Sequence, residues 1–160
     1  MKRILVLSDS HKDVETMIEV VEKETPDMII HLGDCFSDAQ ELRERFRGIP
    51  MECVPGNCDL TMEVPVIVLS IEGFLVMICH GHTYNVKSGY LALEMAAHEK
   101  EAQIVLFGHT HRVFYDYHNG LAMMNPGSIG APGYGTPASY GILSLDAKTH
   151  TIDIDIEYIE

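Results

Sequence analysis

The first third of the chain alternates short apolar runs with segments in which apolar residues recur at helical spacing. Residues 3–7 and 28–32 are nearly continuous apolar runs, which is typical of strands buried on both faces of a sheet. Between them, the periodic segment begins after Asp13, a predicted N-cap, and ends before Pro26, which cannot continue a helix. This strand–helix–strand order predicts a right-handed crossover and a sheet that is at least partly parallel.

A second helix and a third strand follow in the same order. Ser37 and Gln40 have the spacing of a capping box, so the helix is predicted to begin at Ser37 and to run to about Phe46. Residues 51–54 are then predicted to form the third strand. The alternation of strands and helices is thus kept over the first 54 residues.

The second half of the chain changes from crossovers to hairpins. Two pairs of predicted strands are joined by turn residues, Glu72 and Gly73 in the first pair and Asn119 and Gly120 in the second. The strands predicted from here to the end are residues 66–71, 74–79, 104–107, 113–117, 121–124, 139–145 and 151–158.

One more helix is predicted over residues 88–100, with Leu91, Met95 and Ala96 as its inward positions. Residues 125–137 are rich in Gly and Pro and form a predicted loop. Together the patterns predict the α/β fold class, as a two-sheet β-sandwich of mixed strands flanked by α-helices. We expect residues 1–160 to form a single domain.

Composition agrees with one globular domain and adds an expectation about location. The hydrophobic fraction of 46% and the charged fraction of 22% are near the averages for globular proteins. No apolar run approaches the roughly 20 residues that span a bilayer, and the N-terminal residues enter a strand pattern directly. The four cysteines fit neither a disulfide framework nor a zinc motif. We therefore expect a cytoplasmic protein with reduced thiols and no contact with a membrane.

The net charge of −13 restricts the partners of the chain. An acidic surface repels a phosphate backbone, so we expect no nonspecific nucleic-acid binding. Any chemistry on phosphate groups would need cations bound to the protein, because bound metal ions dominate the local field.

Five apolar strands end at clusters of polar residues. The clusters are SDSH at 8–11, GD at 33–34, GNCD at 56–59, HGH at 80–82 and GHTH at 108–111. In α/β sheets the carboxyl ends of the strands meet at one crevice, where ligands bind. We therefore expect the five clusters to lie together in space.

The residue types in these clusters predict a metal site. Carboxylates, imidazoles and an amide carbonyl suit Mn, Fe, Ni, Co or Zn. Two histidines at positions i and i+2 bind two neighbouring ions more easily than one, and paired ions are used to hydrolyse phosphate esters. The candidate ligands are Asp9, His11, Asp34, Asn57, His80, His109 and His111.

The ordered set of motifs resembles the calcineurin-like metallophosphoesterase superfamily. The small size, the GNCD motif and the NPGS motif at residues 125–128 are similar to its YfcE-like phosphodiesterase branch. The resemblance implies a phosphodiesterase with two metal ions, manganese first among them, whose bridging hydroxide attacks a small phosphate ester. It implies that Asp9, His11 and His111 hold the first metal, that Asn57, His80 and His109 hold the second, and that Asp34 bridges them.

One cluster departs from the family pattern. Cys58 stands where many larger members carry a histidine that contacts the phosphate and donates a proton. A thiol, with a reference pKa of about 8.5, protonates an alkoxide poorly. This favours diesters or substrates with good leaving groups, although Cys58 could also be a small packing residue. Asp59 would orient the missing histidine or stabilise a turn. His82 would contact the phosphate, support the metal ligands or lie on the surface.

Three further polar residues lie next to the motifs. His31 precedes Asp34 and is interpreted either as a support for the ligands or, with more weight, as a core histidine. Asn125 and Ser128 match the family loop beside the site but are also ordinary turn formers.

Other functions remain open at this point. The same site could act on phosphomonoesters or pyrophosphates, and a retromer subunit that resembles these enzymes serves as a scaffold. All seven ligand positions carry competent ligands, which favours an enzyme. The apolar hairpin strands and the loop near Tyr134 suggest a homo-oligomer.

Overall fold

The computed structural model describes residues 1–34, 36–56, 59, 65–133 and 135–159. Within them, ten strands form two five-stranded sheets, and three α-helices and one short 3-10 helix connect the strands. The elements are β1 Lys2–Leu7, α1 Val14–Glu24, β2 Met28–His31, α2 Phe36–Arg45, β3 Met51–Cys53, β4 Val66–Ile71, β5 Phe74–Cys79, the 3-10 helix His82–Tyr84, α3 Leu91–Glu99, β6 Ile104–Leu106, β7 Val113–His118, β8 Leu121–Pro126, β9 Ala138–Asp146 and β10 Thr151–Ile159.

Both sheets mix parallel and antiparallel strands. The first has the order β10–β9–β1–β2–β3, with β1, β2 and β3 parallel and β9 antiparallel to both of its neighbours. The second has the order β4–β5–β6–β8–β7, with a parallel centre and an antiparallel strand at each edge. The predicted two-sheet fold class is confirmed, and each predicted strand lies within two residues of the observed one.

The core has three layers because the central strands are apolar on both faces. In β1, Ile4 and Val6 pack between the sheets, whereas Leu5 and Leu7 pack under helices α1 and α2. Helix α3 covers the outer face of the second sheet. Each fully buried aliphatic side chain contributes about 1.5–3 kcal/mol relative to exposure, so the sandwich holds the strand ends firmly in place.

Turn and cap chemistry accounts for several element ends. Asp13 caps α1 as predicted, and its Oδ1 accepts a hydrogen bond of 3.2 Å from Thr16 N. Both hairpin turns, at residues 72–73 and 119–120, have two consecutive residues with positive φ, as a two-residue type I′ turn requires. Among the described residues, no helix is both long and apolar enough to cross a bilayer.

The capping-box prediction for the second helix is wrong. Helix α2 already includes Phe36, so its N-cap position precedes that residue, and Ser37 and Gln40 lie inside the helix. The Gln40 amide instead donates to Cys53 Sγ at 3.9 Å and ties the helix to β3.

The predicted inward face of the third helix is largely wrong as well. Leu91 and Met95 are 70% and 62% exposed, and the buried positions are Leu93 and Ala97. Only Ala96 packs partly against the core, as predicted. The helix begins at Leu91 rather than Ser88, and it is apolar on most of its circumference, so periodicity does not distinguish its two faces.

Candidate metal centre

The loops that follow β1, β2, β5 and β6 meet at one end of the sandwich. Backbone hydrogen bonds join them in pairs: Asp9 N donates to Gly33 O at 2.9 Å, and Gly108 N donates to His80 O at 2.9 Å. The expected convergence of the clusters is therefore observed for four of the five motifs. In the GNCD motif, Gly56 and Asp59 are described, whereas Asn57 and Cys58 lie outside the described residues.

Six of the seven candidate ligands fall into two groups that share one residue. Within each group the ligand atoms all lie within 4.8 Å of one another. Asp34 belongs to both groups, which is the position that a carboxylate between two ions would occupy. The first group is Asp9, His11, Asp34 and His111, and the second is Asp34, His80 and His109.

The Asp9 carboxylate shows that these residues fit a cation. Its Oδ2 accepts hydrogen bonds from Ser8 Oγ at 2.8 Å and from the backbone N–H of His109 at 3.2 Å. Its Oδ1 is buried and accepts no hydrogen bond from any described residue; it lies 3.4 Å from His111 Nε2 and 3.7 Å from His80 Nε2. An anionic oxygen buried with only these two imidazole nitrogens of described residues near it is costly, and a metal ion would satisfy it.

Backbone carbonyls set the tautomers of two histidines. His80 Nδ1 donates to Leu32 O at 2.8 Å, and His111 Nδ1 donates to Ala131 O at 2.6 Å. In the neutral ring each histidine then presents Nε2 as a lone pair toward Asp34 and Asp9. Such a hydrogen bond on the far nitrogen is the usual support of a metal-binding imidazole.

Charges in the cluster move the histidine pKa values in opposite directions. Burial alone would lower the pKa of His80, but the carboxylates of Asp34 and Asp9 outweigh it, and the pKa is raised. The pKa of His111 is raised chiefly by its contact with Asp9. The pKa of His109 is lowered to about 4, first by burial and then by His80. The two carboxylates therefore favour positive charge at His80 and His111.

The backbone of the site adopts left-handed conformations that ordinary residues rarely populate. Five of the candidate ligands have positive φ, and such a conformation costs roughly 1–2 kcal/mol per non-glycine residue. Strain of this kind persists only where surrounding contacts fix it, and it is common at functional sites. The residues with their φ values are Asp9 54°, His11 43°, Asp34 42°, His109 71° and His111 60°.

Asp59 links two of the site loops. Its Oδ2 accepts hydrogen bonds from the backbone N–H of Asp34 at 3.1 Å and of Gly56 at 2.8 Å. This geometry supports the turn-stabilising interpretation, and a catalytic role for Asp59 stays a prediction. Gly56 itself allows a close approach, because a Cβ at this position would collide with the Asp34 carboxylate.

His82 lies at the edge of the cluster rather than on a free turn. Its ring centroid is 5.4 Å from that of His80 and 6.1 Å from that of His109. Its Nδ1 is buried without a hydrogen-bond partner among the described residues. Burial, followed by the influence of His80, lowers its pKa. A neutral His82 beside the ligands is compatible with the predicted contact to a phosphate.

The loop at residues 125–128 supports the ligand loops from below. The Asn125 amide donates to Gly108 O and to Thr110 Oγ1, each at 3.0 Å. Ser128 Oγ donates to Asp9 O at 2.7 Å and accepts from Ala131 N at 2.7 Å. Both side chains are fully buried. They position the loops of the ligands, which is more than a turn-forming role.

A buried chain of hydrogen bonds beside the site was not predicted from the sequence. Gly33 N donates to His31 Nδ1 at 3.1 Å, so His31 Nε2 carries the proton and donates to Ser10 Oγ at 3.1 Å. Ser10 Oγ in turn donates to Asp38 Oδ2 at 2.7 Å, which also accepts from Lys12 N at 2.6 Å. Serine and a helical aspartate such as Ser10 and Asp38 usually lie on the surface. The sequence therefore carries no signal for these hydrogen bonds beyond the apolar run around His31.

Comparison with known proteins identifies the family. The model of the calcineurin-like phosphoesterase superfamily domain matches residues 1–148. The probable metallophosphoesterase YsnB of Bacillus subtilis is 32% identical over 154 residues, which cover 93% of this chain and 88% of that protein. The phosphodiesterase YfcE of Escherichia coli K12 is 23% identical over 171 residues, which cover 91% of this chain and 89% of that protein.

Solved structures share the sandwich. The crystal structure of a predicted phosphoesterase from Streptococcus pneumoniae TIGR4 has a TM-score of 0.82 and 27% identity, and covers 98% of this chain and 89% of its own. The crystal structure of a Vps29 single mutant from Entamoeba histolytica has a TM-score of 0.75 and 18% identity, and covers 99% of each chain. At that identity the second likeness concerns the fold alone.

Proposed function

This chain belongs to the calcineurin-like phosphoesterase superfamily, and from that premise we propose that it hydrolyses small phosphodiesters at a centre of two divalent metal ions. The observation that carries the proposal is the pair of ligand groups that share Asp34. A single ion would not need two such groups, and each is built on loops from different strands. Asn57, outside the described residues, would complete the second group.

The residues of the site would bind the metal ions and the substrate in the following roles. Asp9 and Asp34 provide the anionic ligands, and the imidazoles of His11, His80, His109 and His111 provide neutral ones. Metal ions bound here would lower the pKa of a coordinated water and neutralise charge on the phosphate oxygens. His82, held neutral at the edge of the cluster, would donate a hydrogen bond to a phosphate oxygen.

The GNCD motif supports diesters as substrates, and bound cations would let an anionic ester bind in an acidic protein. Two divalent ions bring four positive charges against the two carboxylates of Asp9 and Asp34, which leaves a centre that attracts a phosphodiester anion in an acidic protein. Cys58 in place of a histidine removes a strong proton donor for the leaving group. The YfcE relative is named a phosphodiesterase. Manganese is our first choice of metal, with Ni, Fe, Co and Zn also suited to these ligands.

Two other functions compete with this proposal. Phosphomonoesters or pyrophosphates would fit the same ligands, and substrate comparison separates them from diesters. A scaffold without catalysis would share the fold of Vps29, but a scaffold has no need of strained loops that converge on an unsatisfied carboxylate oxygen. The two complete groups of ligand candidates therefore favour an enzyme over a scaffold.

The test is a metal add-back assay on protein stripped of metal by chelation. Bis(p-nitrophenyl) phosphate and p-nitrophenyl phosphate are supplied with Mn, Ni, Zn or Mg in separate reactions. We expect the diester to be cleaved faster than the monoester, with Mn among the active metals. Loss of a ligand should reduce kcat/KM by more than the roughly 10- to 100-fold that follows loss of a supporting residue.

Matched variants connect the activity to the site. Asn57→Ala and His80→Gln should abolish hydrolysis, because each removes one proposed ligand. His98→Gln makes the same change on an exposed position of α3 and should retain full activity. Equal activity of all variants, or no hydrolysis with any metal, would contradict the proposed function. Faster cleavage of the monoester would show that the same metal ligands serve a phosphomonoesterase and not a phosphodiesterase.

A further inference from the structure

A second polar cleft lies directly beside the ligand loop that follows β6. Among the described residues it is lined by Val86, Lys87, Tyr90, Thr110 and Arg112, and its volume is about 440 Å³. Thr110 lies between two proposed ligands, His109 and His111, so the cleft and the metal centre both include residues of this loop. We call this feature the basic cleft.

The charge of the basic cleft is the reverse of that of the chain. The protein has 11 lysine and arginine residues and a net charge of −13, yet two of these cations line one cleft next to the proposed centre. Lys87 and Arg112 are exposed, and neither forms an ion pair with a described residue. Lys87 is close enough to His109 to contribute to its lowered pKa, after burial and His80. Cations that are paired with no described residue can bind an anionic ligand at this place.

Hydrogen bonds hold Arg112 in a fixed relation to the ligand loop. Arg112 N donates to Thr110 Oγ1 at 3.2 Å, and Thr110 Oγ1 donates to Arg112 O at 3.3 Å. The buried Asn125 amide donates to the same Thr110 oxygen at 3.0 Å. The position of the arginine backbone is therefore coupled to that of His109 and His111 on either side of Thr110.

Tyr90, another residue that lines the basic cleft, is backed by an aromatic layer. The Tyr90 ring packs 4.4 Å from Phe114 and 5.2 Å from Phe107, measured between ring centroids. Burial raises the pKa of Tyr90 while Arg112 opposes the rise, so the phenol is protonated near neutral pH and able to donate a hydrogen bond. Below Lys87, Val86 is buried against Gly81, where a Cβ would come within 3.0 Å of Val86 Cγ2. The cleft lining at Tyr90 and Val86 thus packs with the core.

We propose, on the basis of the phosphoesterase function proposed above, that the basic cleft binds a second phosphate group of the substrate while the first phosphate is cleaved at the metal centre. An arginine fork matches two phosphate oxygens, and a lysine adds a point charge. The substrate class is then a phosphodiester that carries an additional phosphate, such as an ester of a nucleoside bisphosphate. A plain diester would leave both cations without a partner.

The test compares two substrates that differ by one phosphate. These are thymidine 5′-(p-nitrophenyl phosphate) and the same compound with a 3′-phosphate, both assayed with Mn-loaded protein at constant ionic strength. We expect kcat/KM to be roughly 10- to 100-fold higher for the compound with the 3′-phosphate, as charge-assisted hydrogen bonds to a phosphate give. In the double variant Lys87→Gln/Arg112→Gln, the ratio should fall close to one.

A control variant removes one arginine and one lysine charge away from the basic cleft. Arg47→Gln/Lys148→Gln also replaces one arginine and one lysine, both exposed. Lys148 follows β9 at the end that pairs with the start of β1, opposite the strand ends that carry the ligands. This variant should keep both the activity and the preference of the unmodified protein. A preference that falls equally in the control would assign the effect to overall charge and overturn the proposal.

Binding without turnover separates the two proposals. Titration calorimetry on Mn-loaded protein compares thymidine 3′,5′-bisphosphate with thymidine 5′-monophosphate. Tighter binding of the bisphosphate, lost in Lys87→Gln/Arg112→Gln, supports the basic cleft. Hydrolysis of both substrates at one rate together with equal binding of the two ligands refutes the cleft and leaves the phosphodiesterase in place. No hydrolysis of either substrate refutes the function and the cleft together.

Discussion

The candidate ligands combine two unfavourable features, left-handed backbone and buried negative charge. Asp9 has both, with φ of 54° and an Oδ1 that is buried without a hydrogen bond from a described residue. Glycines beside the motifs can adopt positive φ, and Gly33 and Gly81 do have φ of 105°. The left-handed conformations of the ligands themselves could not be predicted, because no residue type signals strain. Side-chain identity was predictable here, whereas backbone geometry was not.

Replacement of Asp9 should separate stability from function. In metal-free protein at alkaline pH, where His80 and His111 are neutral, Asp9→Asn removes a buried charge and its amide would donate to their Nε2 atoms, so the unfolding free energy should rise by about 1 kcal/mol or more. Metal-dependent hydrolysis should be lost. Thermal unfolding in a chelator measures the first effect. Asp153→Asn, an exposed position on β10, should change neither quantity, and a destabilised Asp9→Asn would contradict the account.

His31 should make the metal-free protein sensitive to acid. Burial lowers its pKa from 6.5 to about 4, so between these values the unfolded chain binds a proton that the folded protein excludes. Stability is therefore fully present above about pH 6.5 and is lost as the pH falls toward 4, by about 3 kcal/mol from this group. Denaturant unfolding at several pH values should show a shallower decline for His31→Asn than for the unmodified protein. Parallel declines would exclude His31 as the cause.

At the scale of elements, polar contacts between loops bring the ligands together. The buried hydrogen bonds from His31 through Ser10 to Asp38 join the end of β2, the loop after β1 and the first turn of α2. Strand positions were predictable, since continuous apolar runs mark the strands of a two-sided core. The start of α2 was not, because Ser37 and Gln40 fit a capping box two positions too late. The inward face of α3 was also not predictable, because the helix is apolar on most of its surface and Leu91 and Met95 are exposed.

Disruption of this buried chain should weaken metal binding more than folding. Asp38→Ala leaves Ser10 Oγ and Lys12 N without their acceptor and loosens the loop that carries Asp9 and His11. We expect the Mn concentration for half-maximal hydrolysis to rise roughly tenfold or more, as for other supports of metal ligands. An activity titration with Mn at fixed substrate measures the shift.

The N-cap of α1 supplies the matched control. Asp13→Ala removes a hydrogen bond to Thr16 N and should cost about 1 kcal/mol of stability. It should leave the Mn requirement unchanged, because the hydrogen bond that the Asp13 side chain forms with a described residue lies within the first turn of α1 and not at a ligand. If both variants shift the Mn requirement equally, the effect of Asp38→Ala reflects general destabilisation and not positioning.

At the scale of the whole molecule, the two sheets bring distant motifs to one end. Motifs from residue 9 to residue 128 meet there because β1, β2, β5 and β6 run in parallel groups whose carboxyl ends face the same side. The order of motifs therefore carries the fold and the family, both of which the sequence predicts. The basic cleft escapes such reasoning, since Lys87 and Arg112 are 25 residues apart and belong to no motif. A single domain over residues 1–160, homo-oligomerisation and the lack of nucleic-acid binding stay predictions.

The most direct test of the account is to count metal ions as activity appears. Metal-free protein is titrated with Mn, and bound metal and hydrolysis of bis(p-nitrophenyl) phosphate are followed in the same samples. We predict two bound ions per chain, with activity rising as the second site fills, and loss of both ions in Asp34→Ala, because Asp34 belongs to both ligand groups. One ion per chain at full activity, or two ions that persist in Asp34→Ala, would contradict the shared centre.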